Sequence, residues 1–260
     1  MLYHPIANAL IQVLEEKISR YTKDLYEISH LQASTGAAER FASISVSTFT
    51  KSIQEEISQS FKGTLYISTL LATLEENSLG EKPLKLLFNP IDNFRNFSRG
   101  IPNFGVSFLL QEETDMGWVD VFSIVYSYHT QEVMYTDAVG SYIRGRMFKP
   151  TIRKHLKLAM LSCNTRAIKF NPNIVNKFQN LRVTNSIIDD FHLLARGKVD
   201  TIYFEKEPIV YLLPLLSVAK VFRVNNEEMQ HIVVNKDVSS KSMTVLFTNK
   251  YLRSAITDDK

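Results

Sequence analysis

The chain has 260 residues, of which 45% are hydrophobic and 22% charged, and its formal net charge is +3 at pH 7. This composition is ordinary for a globular protein with a substantial core, and the charge surplus is too small to indicate nucleic-acid binding. The lone cysteine, Cys163, excludes an intramolecular disulfide and favours a reducing, cytoplasmic setting in which it is a small buried residue.

Apolar spacing in the first half predicts two helices followed by strands. Residues 6–21 have apolar positions three and four residues apart, which indicates an amphipathic helix. Residues 33–38 read as a loop, and a second helix is predicted to start near Ser47 as its N-cap. Strands are predicted over residues 64–69, 84–88, 105–111, 118–127 and 132–136.

The second half alternates between predicted strands and helices. The apolar run 208–222 is shorter than the roughly 20 residues that span a bilayer, so it is predicted to be a core helix bent at Pro214. The N-terminus lacks the pattern of a signal peptide. Strands are predicted over 157–162, 199–204 and 245–247, and helices over 171–179, 187–195, 209–222 and 250–256. The order of elements predicts a layered α+β fold with mixed sheets between helices, in one compact unit of two subdomains, 1–150 and 151–260.

One short segment carries a resemblance to a known family. Asn89-Pro90-Ile91-Asp92-Asn93-Phe94, followed by a strand through Val106-Ser107, resembles the signature Asp-Pro-Ile/Leu-Asp-Gly-Thr/Ser of the inositol monophosphatases. Residues 140–146, 185–200 and 245–249 resemble later family motifs in the same order, and residues 4–9 resemble the start of the bacterial extragenic-suppressor type. The resemblance implies a layered α/β/α/β sugar-phosphatase fold, a homodimer and Mg²⁺-dependent phosphatase ancestry.

The resemblance also assigns the positions that bind metal in the family, where several carboxylates hold two or three Mg²⁺ ions. Asp92 is retained, but Asn89 replaces the first acid of the signature. The late Trp-Asp falls at Ile209-Val210, so Val210 replaces the last Asp. Three more family acids, a paired Glu-Glu and the final Asp of an earlier element, correspond to Thr69, Leu70 and Ser47.

Four further residues have two interpretations each. Glu75 and Glu76 are predicted to be a solvated loop pair, or displaced metal ligands if a loop rebuilds the site. Asp92 is predicted to cap the helix that follows it, or to bind metal. Glu205 matches a residue that contacts substrate hydroxyls in the family, although a surface carboxylate is the simpler interpretation. Asn93 and Phe94 occupy the substrate-binding Gly-Thr position, where Phe94 is expected to crowd the phosphate site.

These replacements predict a family member that has lost Mg²⁺-dependent catalysis, needs no cofactor and acts as a scaffold or regulatory binding protein. By resemblance its partner belongs to the transcription machinery. The alternative is an active Mg²⁺-dependent phosphomonoesterase acting on inositol phosphate or a similar small phosphate, built on Glu75, Glu76 and Asp92. Binding of a phosphorylated ligand without turnover needs a basic pocket, for which only Arg95 and Arg99 lie near Asn89. No two of the six histidines have i, i+4 spacing, so no zinc site is predicted.

Overall fold

The computed structural model describes residues 5–34, 36–61, 63–68, 74–78, 84–143, 146–148, 151, 153–220, 230–237 and 242–257. Within these ranges the helices are α1 (Pro5–Leu31), α2 (Ala37–Ser60), α3 (Phe94–Ser98), α4 (Thr165–Phe170), α5 (Pro172–Val175), α6 (Ile187–Ala195), α7 (Ile209–Lys220) and α8 (Lys250–Thr257). The strands are β1 (Thr64–Ser68), β2 (Leu74–Ser78), β3 (Leu84–Asn89), β4 (Gly105–Thr114), β5 (Gly117–Ser127), β6 (Glu132–Thr136), β7 (Ser141–Ile143), β8 (Arg146–Met147), β9 (Met160–Cys163), β10 (Asn180–Arg182), β11 (Thr201–Pro208), β12 (Gln230–Asp237) and β13 (Ser242–Thr248).

The two N-terminal helices pack side by side and cover the first sheet. α1 buries residues at helical spacing, among them Leu10, Leu14 and Ile18. α2 begins ten residues earlier than the sequence predicts, at Ala37 instead of Ser47. Gly36 precedes it with φ of 70°, a left-handed conformation that suits glycine and turns the chain into the helix. Ser47 is therefore an exposed residue inside α2 and caps nothing.

The first sheet has eight strands in the order β2-β1-β3-β4-β5-β6-β7-β8. β1 and β3 are parallel, and every other neighbouring pair is antiparallel. Because β1 and β3 run in the same direction, their carboxyl ends lie at the same edge of the sheet. Asn89 ends β3 at this edge, where the signature segment begins.

The second sheet has five strands in the order β10-β9-β11-β13-β12. β9 pairs in parallel with β10 and β11, whereas β13 pairs antiparallel with β11 and β12. The two sheets fall on either side of residue 150, where the sequence predicts a boundary between subdomains. That division stays a prediction.

Three hydrophobic clusters show how the layers stack. The first joins α1 and α2 to one face of the first sheet, and the second fills the space between the two sheets around α6 and α7. The third joins the outer face of the second sheet to α4, α5 and α8. Alternation along β11 separates two of them, since Ile202 and Phe204 face α6 and α7 while Tyr203 faces outward. The layered α+β fold with mixed sheets between helices is confirmed.

Several predicted elements are wrong in detail. Residues 157–162 are not one strand but a 3-10 turn, Leu156–Leu158, followed by β9. The helix predicted over 171–179 is the four-residue α5, preceded by the unpredicted α4, because Asn171 ends one helix and Pro172 starts the next. α6 has its predicted bounds, and α7 contains Pro214 as expected. Among the described residues, no helix is both long and apolar enough to cross a membrane.

Candidate functional site

Asp92 is the centre of a hydrogen-bond network that joins the signature segment to α6. Its Oδ1 accepts a hydrogen bond from the backbone N–H of Gly105 at 2.7 Å, and its own N–H donates to the Gly105 carbonyl at 3.1 Å. Its Oδ2 accepts from the Ser186 hydroxyl at 2.8 Å and from the Ile188 N–H at 3.0 Å. Both carboxylate oxygens are therefore occupied by protein donors.

These contacts correct the predicted role of Asp92. The helix that follows the signature, α3, is capped by Asn93, whose Oδ1 accepts from the Asn96 N–H at 3.0 Å. Asp92 instead serves the N-terminus of α6, where it satisfies the second helical N–H while Ser186 accepts from the third, that of Asp189. The carboxylate caps a helix that begins far along the chain.

Two further aspartates, Asp189 and Asp190, are buried in the first turn of α6, and no role was predicted for them from the sequence. Asp189 accepts hydrogen bonds from the Ser127 hydroxyl at 2.5 Å and the Asn103 side-chain amide at 3.0 Å. The pattern Ser186-x-x-Asp189 before an apolar run signals a helix N-terminus and could have identified this cap. Nothing local to the sequence shows that the acids are buried.

Burial dominates the protonation of all three acids, because it penalises the charged form. It raises the pKa of Asp92 to about 7, the nearby Asp189 charge adds to the rise, and the hydrogen bonds from Ile188, Ser186 and Gly105 oppose it. Burial likewise raises the pKa of Asp189 to about 7 and that of Asp190 to about 7. A cluster with these values is largely protonated below neutral pH, which limits its negative charge.

Asp190 is the least well satisfied of the three. The hydroxyls of Ser162 and Thr184 lie close enough to lower its pKa, but they donate to the carbonyls of Arg182 and Ser186. Neither Asp190 oxygen has a hydrogen bond of ordinary geometry within the described part of the chain. Its ionised form therefore receives little stabilisation.

Asn89 and Ser107 face each other across β3 and β4, and both have an unsatisfied polar atom. Asn89 is 2% exposed, and its Nδ2 has no partner among the described residues, as is also true of the Ser107 hydroxyl. The Asn89 Oδ1, the only atom of this amide able to bind a cation, accepts from the Ile91 N–H at 3.4 Å. The first metal position of the signature is therefore a donor-bearing amide with its oxygen turned to the backbone.

The other metal positions inferred from the resemblance also lack carboxylates. Val210 lies in the first turn of α7, a turn that contains no acid, and Ser47 is exposed within α2. Thr69 and Leu70 lie outside the described residues. Within the described residues, no group of three or more histidine, cysteine, aspartate and glutamate side chains is arranged to hold a metal ion. Mg²⁺ requires several convergent oxygens in near-octahedral geometry, and among the described residues at these positions only Asp92 offers a carboxylate.

Glu75 and Glu76 lie in β2, not in the predicted loop. In the strand pairing, Glu75 is opposite Ile67 of β1, and Ile67 is in turn opposite Phe88 of β3. Two strand spacings of about 4.8 Å separate Glu75 from Phe88 along this row, so its backbone lies about 10 Å from the end of β3.

Glu205 is not the surface carboxylate that the sequence predicts, because it is 7% exposed. Its Oε2 accepts from the Asn171 side-chain amide at 2.7 Å and from the Tyr203 hydroxyl at 2.9 Å. It shares the outer face of β11 with Tyr203 and contributes to the contact with α4 and α5.

The phosphate position of the signature is likewise altered. Asn93 fills the N-terminus of α3, and its Nδ2 donates to the Asn185 carbonyl at 2.5 Å. Phe94 is partly buried and packs against the first hydrophobic cluster. α3 has only five residues, and both Arg95 and Arg99 are exposed. These residues form packing and capping contacts, not a basic pocket.

Comparison with solved structures identifies the architecture. The fold matches the extragenic suppressor protein suhB from Bartonella henselae with a TM-score of 0.75 at 17% identity, covering 97% of this chain and 98% of that one. It matches inositol monophosphatase II from Staphylococcus aureus with a TM-score of 0.72 at 14% identity, covering 98% and 94% of the two chains. The chain has the inositol monophosphatase fold.

A relative at the sequence level agrees with this fold. A protein from Archaeoglobus fulgidus described as fructose-1,6-bisphosphatase/inositol-1-monophosphatase is 28% identical over 130 residues, which is 50% of this chain and 48% of that protein. The match thus spans about half the length of the relative. No protein-family model matches the chain. The resemblance of the Asn89–Phe94 segment implied the inositol monophosphatase fold, and that prediction is confirmed.

Proposed function

We propose that this protein keeps the inositol monophosphatase fold without the Mg²⁺-dependent phosphatase reaction, and that it acts as a scaffold or regulatory binding protein. The observation that carries the proposal is the occupancy of Asp92, whose two oxygens accept three hydrogen bonds from Gly105, Ser186 and Ile188. For this carboxylate to bind Mg²⁺, some of these donors would have to give up their partner inside the protein, at a cost of about 1–3 kcal/mol each.

The charge of the site supports the same proposal. Two Mg²⁺ ions held a few ångströms apart repel each other, and anionic ligands must offset that repulsion. Asn89 brings no charge, Val210 brings none, and the pKa of Asp92 is raised to about 7. The residues that remain supply too little negative charge to replace the hydration shell of the ion.

A direct assay tests the loss of catalysis. Phosphate release should be measured from inositol 1-phosphate and fructose 1,6-bisphosphate with millimolar Mg²⁺, beside the Staphylococcus aureus inositol monophosphatase II as a positive control. We expect release no greater than in the buffer blank, and a melting temperature that Mg²⁺ leaves unchanged, because a ligand that binds only the native state must raise it. Mg²⁺-dependent release that disappears in Asp92→Asn would falsify the proposal.

The binding role requires its own test. We propose a homodimer in the cytoplasm whose partner belongs to the transcription machinery, as the bacterial extragenic-suppressor resemblance suggests. Sedimentation velocity should then give twice the 29.8 kDa mass of the chain. Affinity purification from the protein's own cells should recover RNA polymerase or a transcription factor in amounts comparable to the bait. Recovery of the chain alone argues against a scaffold.

An active Mg²⁺-dependent phosphomonoesterase is the second candidate, favoured by the position of β2. Glu75 pairs with Ile67, and Ile67 pairs with Phe88. The backbone of Glu75 therefore lies in the same row of the sheet as the residue immediately before Asn89. If this acid and Glu76 join Asp92 as ligands, Glu75→Gln with Glu76→Gln should abolish both turnover and any Mg²⁺-dependent rise in melting temperature. If the protein is a scaffold only, the same double substitution should change neither phosphate release nor the response of the melting temperature to Mg²⁺.

A further inference from the structure

An exposed aromatic ring and three cations form one surface on the outer side of the second sheet. Phe170 is the last residue of α4 and is 53% exposed, although phenylalanine is usually buried. The ammonium groups of Lys169 and Lys206 each lie 5.3 Å from the centroid of its ring, within the range of a cation–π contact. Arg166 lies one helical turn before Phe170. We call these four residues the α4 surface.

Lys206 is placed beside this ring by a strained backbone. It lies in the bulge of β11, and its φ of 51° is in the left-handed region that favours glycine. Its N–H donates to the Thr244 hydroxyl oxygen at 3.2 Å, and its carbonyl accepts from the Arg166 guanidinium at 2.6 Å. Strain of this kind persists only where surrounding contacts impose it, and it is concentrated at functional sites. The fold therefore holds a lysine in a costly conformation beside Phe170.

The two lysine charges of the α4 surface are not neutralised within the protein. Neither ammonium group lies within ion-pair distance of a carboxylate in the ranges that the structure describes. The acids on either side of Lys206 bond to neutral side chains: Glu205 accepts from an asparagine and a tyrosine, and Glu207 from another asparagine. The Arg166 charge acts on Glu207, where it opposes the rise in pKa that burial causes. Two cations therefore remain available to an external anion.

The spacing of these cations suits one ligand with two negative groups. Because both ammonium groups lie 5.3 Å from the same ring centroid, they are no further apart than twice that distance. At such a separation they repel each other only weakly in water, and both attract an anion placed between them. The exposed part of the Phe170 ring lies in the same place and offers an apolar contact.

A carboxylate-bearing peptide fits this arrangement better than a nucleic acid does. Proteins that bind a phosphate backbone use many cations, and arginine forks grip phosphates through paired hydrogen bonds. Here the Arg166 guanidinium is bonded to the Lys206 carbonyl, and the net charge of the chain is only +3. Two lysines suit two carboxylates.

We propose that the α4 surface binds an acidic segment of a partner protein, in which two carboxylates flank an aliphatic side chain. The carboxylates meet Lys169 and Lys206, and the aliphatic group lies against Phe170. This names the chemistry of the partner, and it rests on the binding role proposed above. It does not depend on whether the signature segment is catalytic.

Titration of the purified protein with labelled peptides tests the proposal. The probe is Glu-Ser-Leu-Ser-Glu, whose two acids and leucine share one face of an extended chain. Gln-Ser-Leu-Ser-Gln is the neutral control, and Glu-Ser-Ser-Ser-Glu lacks the aliphatic group. By fluorescence anisotropy we expect the probe to bind about tenfold more tightly than the neutral control and about threefold more tightly than the serine peptide, and to be weakened by salt. Equal binding of probe and neutral control, or tighter binding of a single-stranded oligonucleotide of equal charge, overturns the proposal.

Variants of exposed residues assign the binding to the α4 surface. Lys169→Gln and Lys206→Gln each remove one charge and should weaken binding of the probe about threefold to tenfold. Phe170→Ser should abolish the preference for the leucine probe over the serine peptide. Lys198→Gln, at an exposed position after α6, makes the same charge change elsewhere and should leave the affinity unaltered. Equal losses from Lys198→Gln and the two surface lysines, or no loss from any of them, contradict the assignment.

The peptide titration can fail independently of the proposed binding role. A partner recovered from cells while the purified protein ignores the probe would keep the binding role and overturn the α4 surface as its site. Tight, α4-dependent peptide binding with no partner recovered would support the surface and argue against the transcription machinery as its target.

Discussion

The Asp92 carboxylate accepts a hydrogen bond of 2.8 Å from the hydroxyl of Ser186, a residue 94 positions later in the chain. Together with the bonds from Gly105 and Ile188, it holds the signature loop, the start of β4 and the N-terminus of α6 against one another. An acid that the resemblance assigns to metal binding thus makes the contacts of a structural residue. Stability measurements can separate the two roles.

Asp92→Ala should lower the free energy of unfolding by about 3 kcal/mol, because it leaves three buried donors without an acceptor. Asp92→Asn retains one acceptor oxygen and should cost about 1–2 kcal/mol. Urea denaturation at pH 7 measures both. Asp115→Ala, in the exposed turn between β4 and β5, is the control and should change stability by less than about 0.5 kcal/mol.

The pair can also be tested as a unit. Ser186→Ala removes the N-cap of α6 and one donor to Asp92, and alone it should cost about 1–2 kcal/mol. In combination with Asp92→Ala the losses should fall short of additivity by about 0.5–3 kcal/mol, the coupling typical of residues in one network. Strict additivity would show that the two side chains act separately.

Asp190→Asn should have an effect on stability that depends on pH. The pKa of Asp190 is about 7 in the folded protein, against an ordinary value of 3.8, so the folded state binds this proton more tightly than the unfolded state. Stability contributed by the protonated acid is therefore present at low pH and is lost as pH rises from about 4 to 7, a change of at most about 4 kcal/mol.

The asparagine variant cannot ionise and does not lose this contribution. We expect its stability relative to the wild type to be greater at pH 8 than at pH 5 by about 2–3 kcal/mol, as measured by chemical denaturation at both values. His192 contributes in the opposite direction below pH 6.5, because burial lowers its pKa to about 3, but it is common to both proteins and cancels in the comparison. A difference that is constant with pH would contradict the raised pKa.

Gly105→Ala should destabilise the protein by about 3 kcal/mol or more. A Cβ at this position would lie 2.3 Å from Cγ2 of Ile188 and 2.6 Å from the backbone oxygen of Tyr126, which cannot move without disturbing β5. Gly117→Ala is the matched control, because nothing lies within 4 Å of its Cβ and only its φ of 99° opposes the substitution. It should cost about 1 kcal/mol by thermal or urea denaturation. Equal costs at the two positions would exclude the close packing of α6 on β4.

Asn89→Asp restores the acid of the signature but should not restore metal binding. The new carboxylate would be buried near Asp92, and the described residues give position 89 no positively charged partner, so we expect a loss of about 1–3 kcal/mol at pH 8 and a smaller one at pH 5. Thermal melts with and without millimolar Mg²⁺ measure the effect, and the ion should cause no shift. A rise in melting temperature with Mg²⁺ would show that a single missing acid separates this site from a functional one.

Local sequence patterns correctly predicted those helices and strands whose ends are set by neighbouring residues. α6 has its predicted bounds because an apolar run follows Ser186 and ends before Gly197, whose φ is 65°. The start of α2 was wrong because Ser47 looks like a cap, whereas the turn is made by Gly36. β10 and β12 were missed because they are edge strands with polar positions, which alternate less clearly than central strands.

The contacts of the candidate site join residues that are far apart in the sequence, so local patterns could not predict them. Asp92 could be located from its motif, but its partners Ser186 and Ile188 belong to an element that only tertiary packing brings near. Glu205 was predicted to be exposed, since acids usually are, and its burial depends on Asn171 from the junction of two short helices. Glu75 was predicted to lie in a solvated loop, whereas its backbone pairs with β1.

The burial of Cys163 has a practical consequence. The thiol lies at 0% exposure in the cluster beneath α8, and burial raises its pKa to about 11, so the reactive thiolate is scarce at neutral pH. Maleimide dyes should leave the native protein unmodified. A cysteine introduced at the exposed Asp115 would then be labelled alone, which provides a fluorophore near the β4–β5 hairpin without first removing the natural residue.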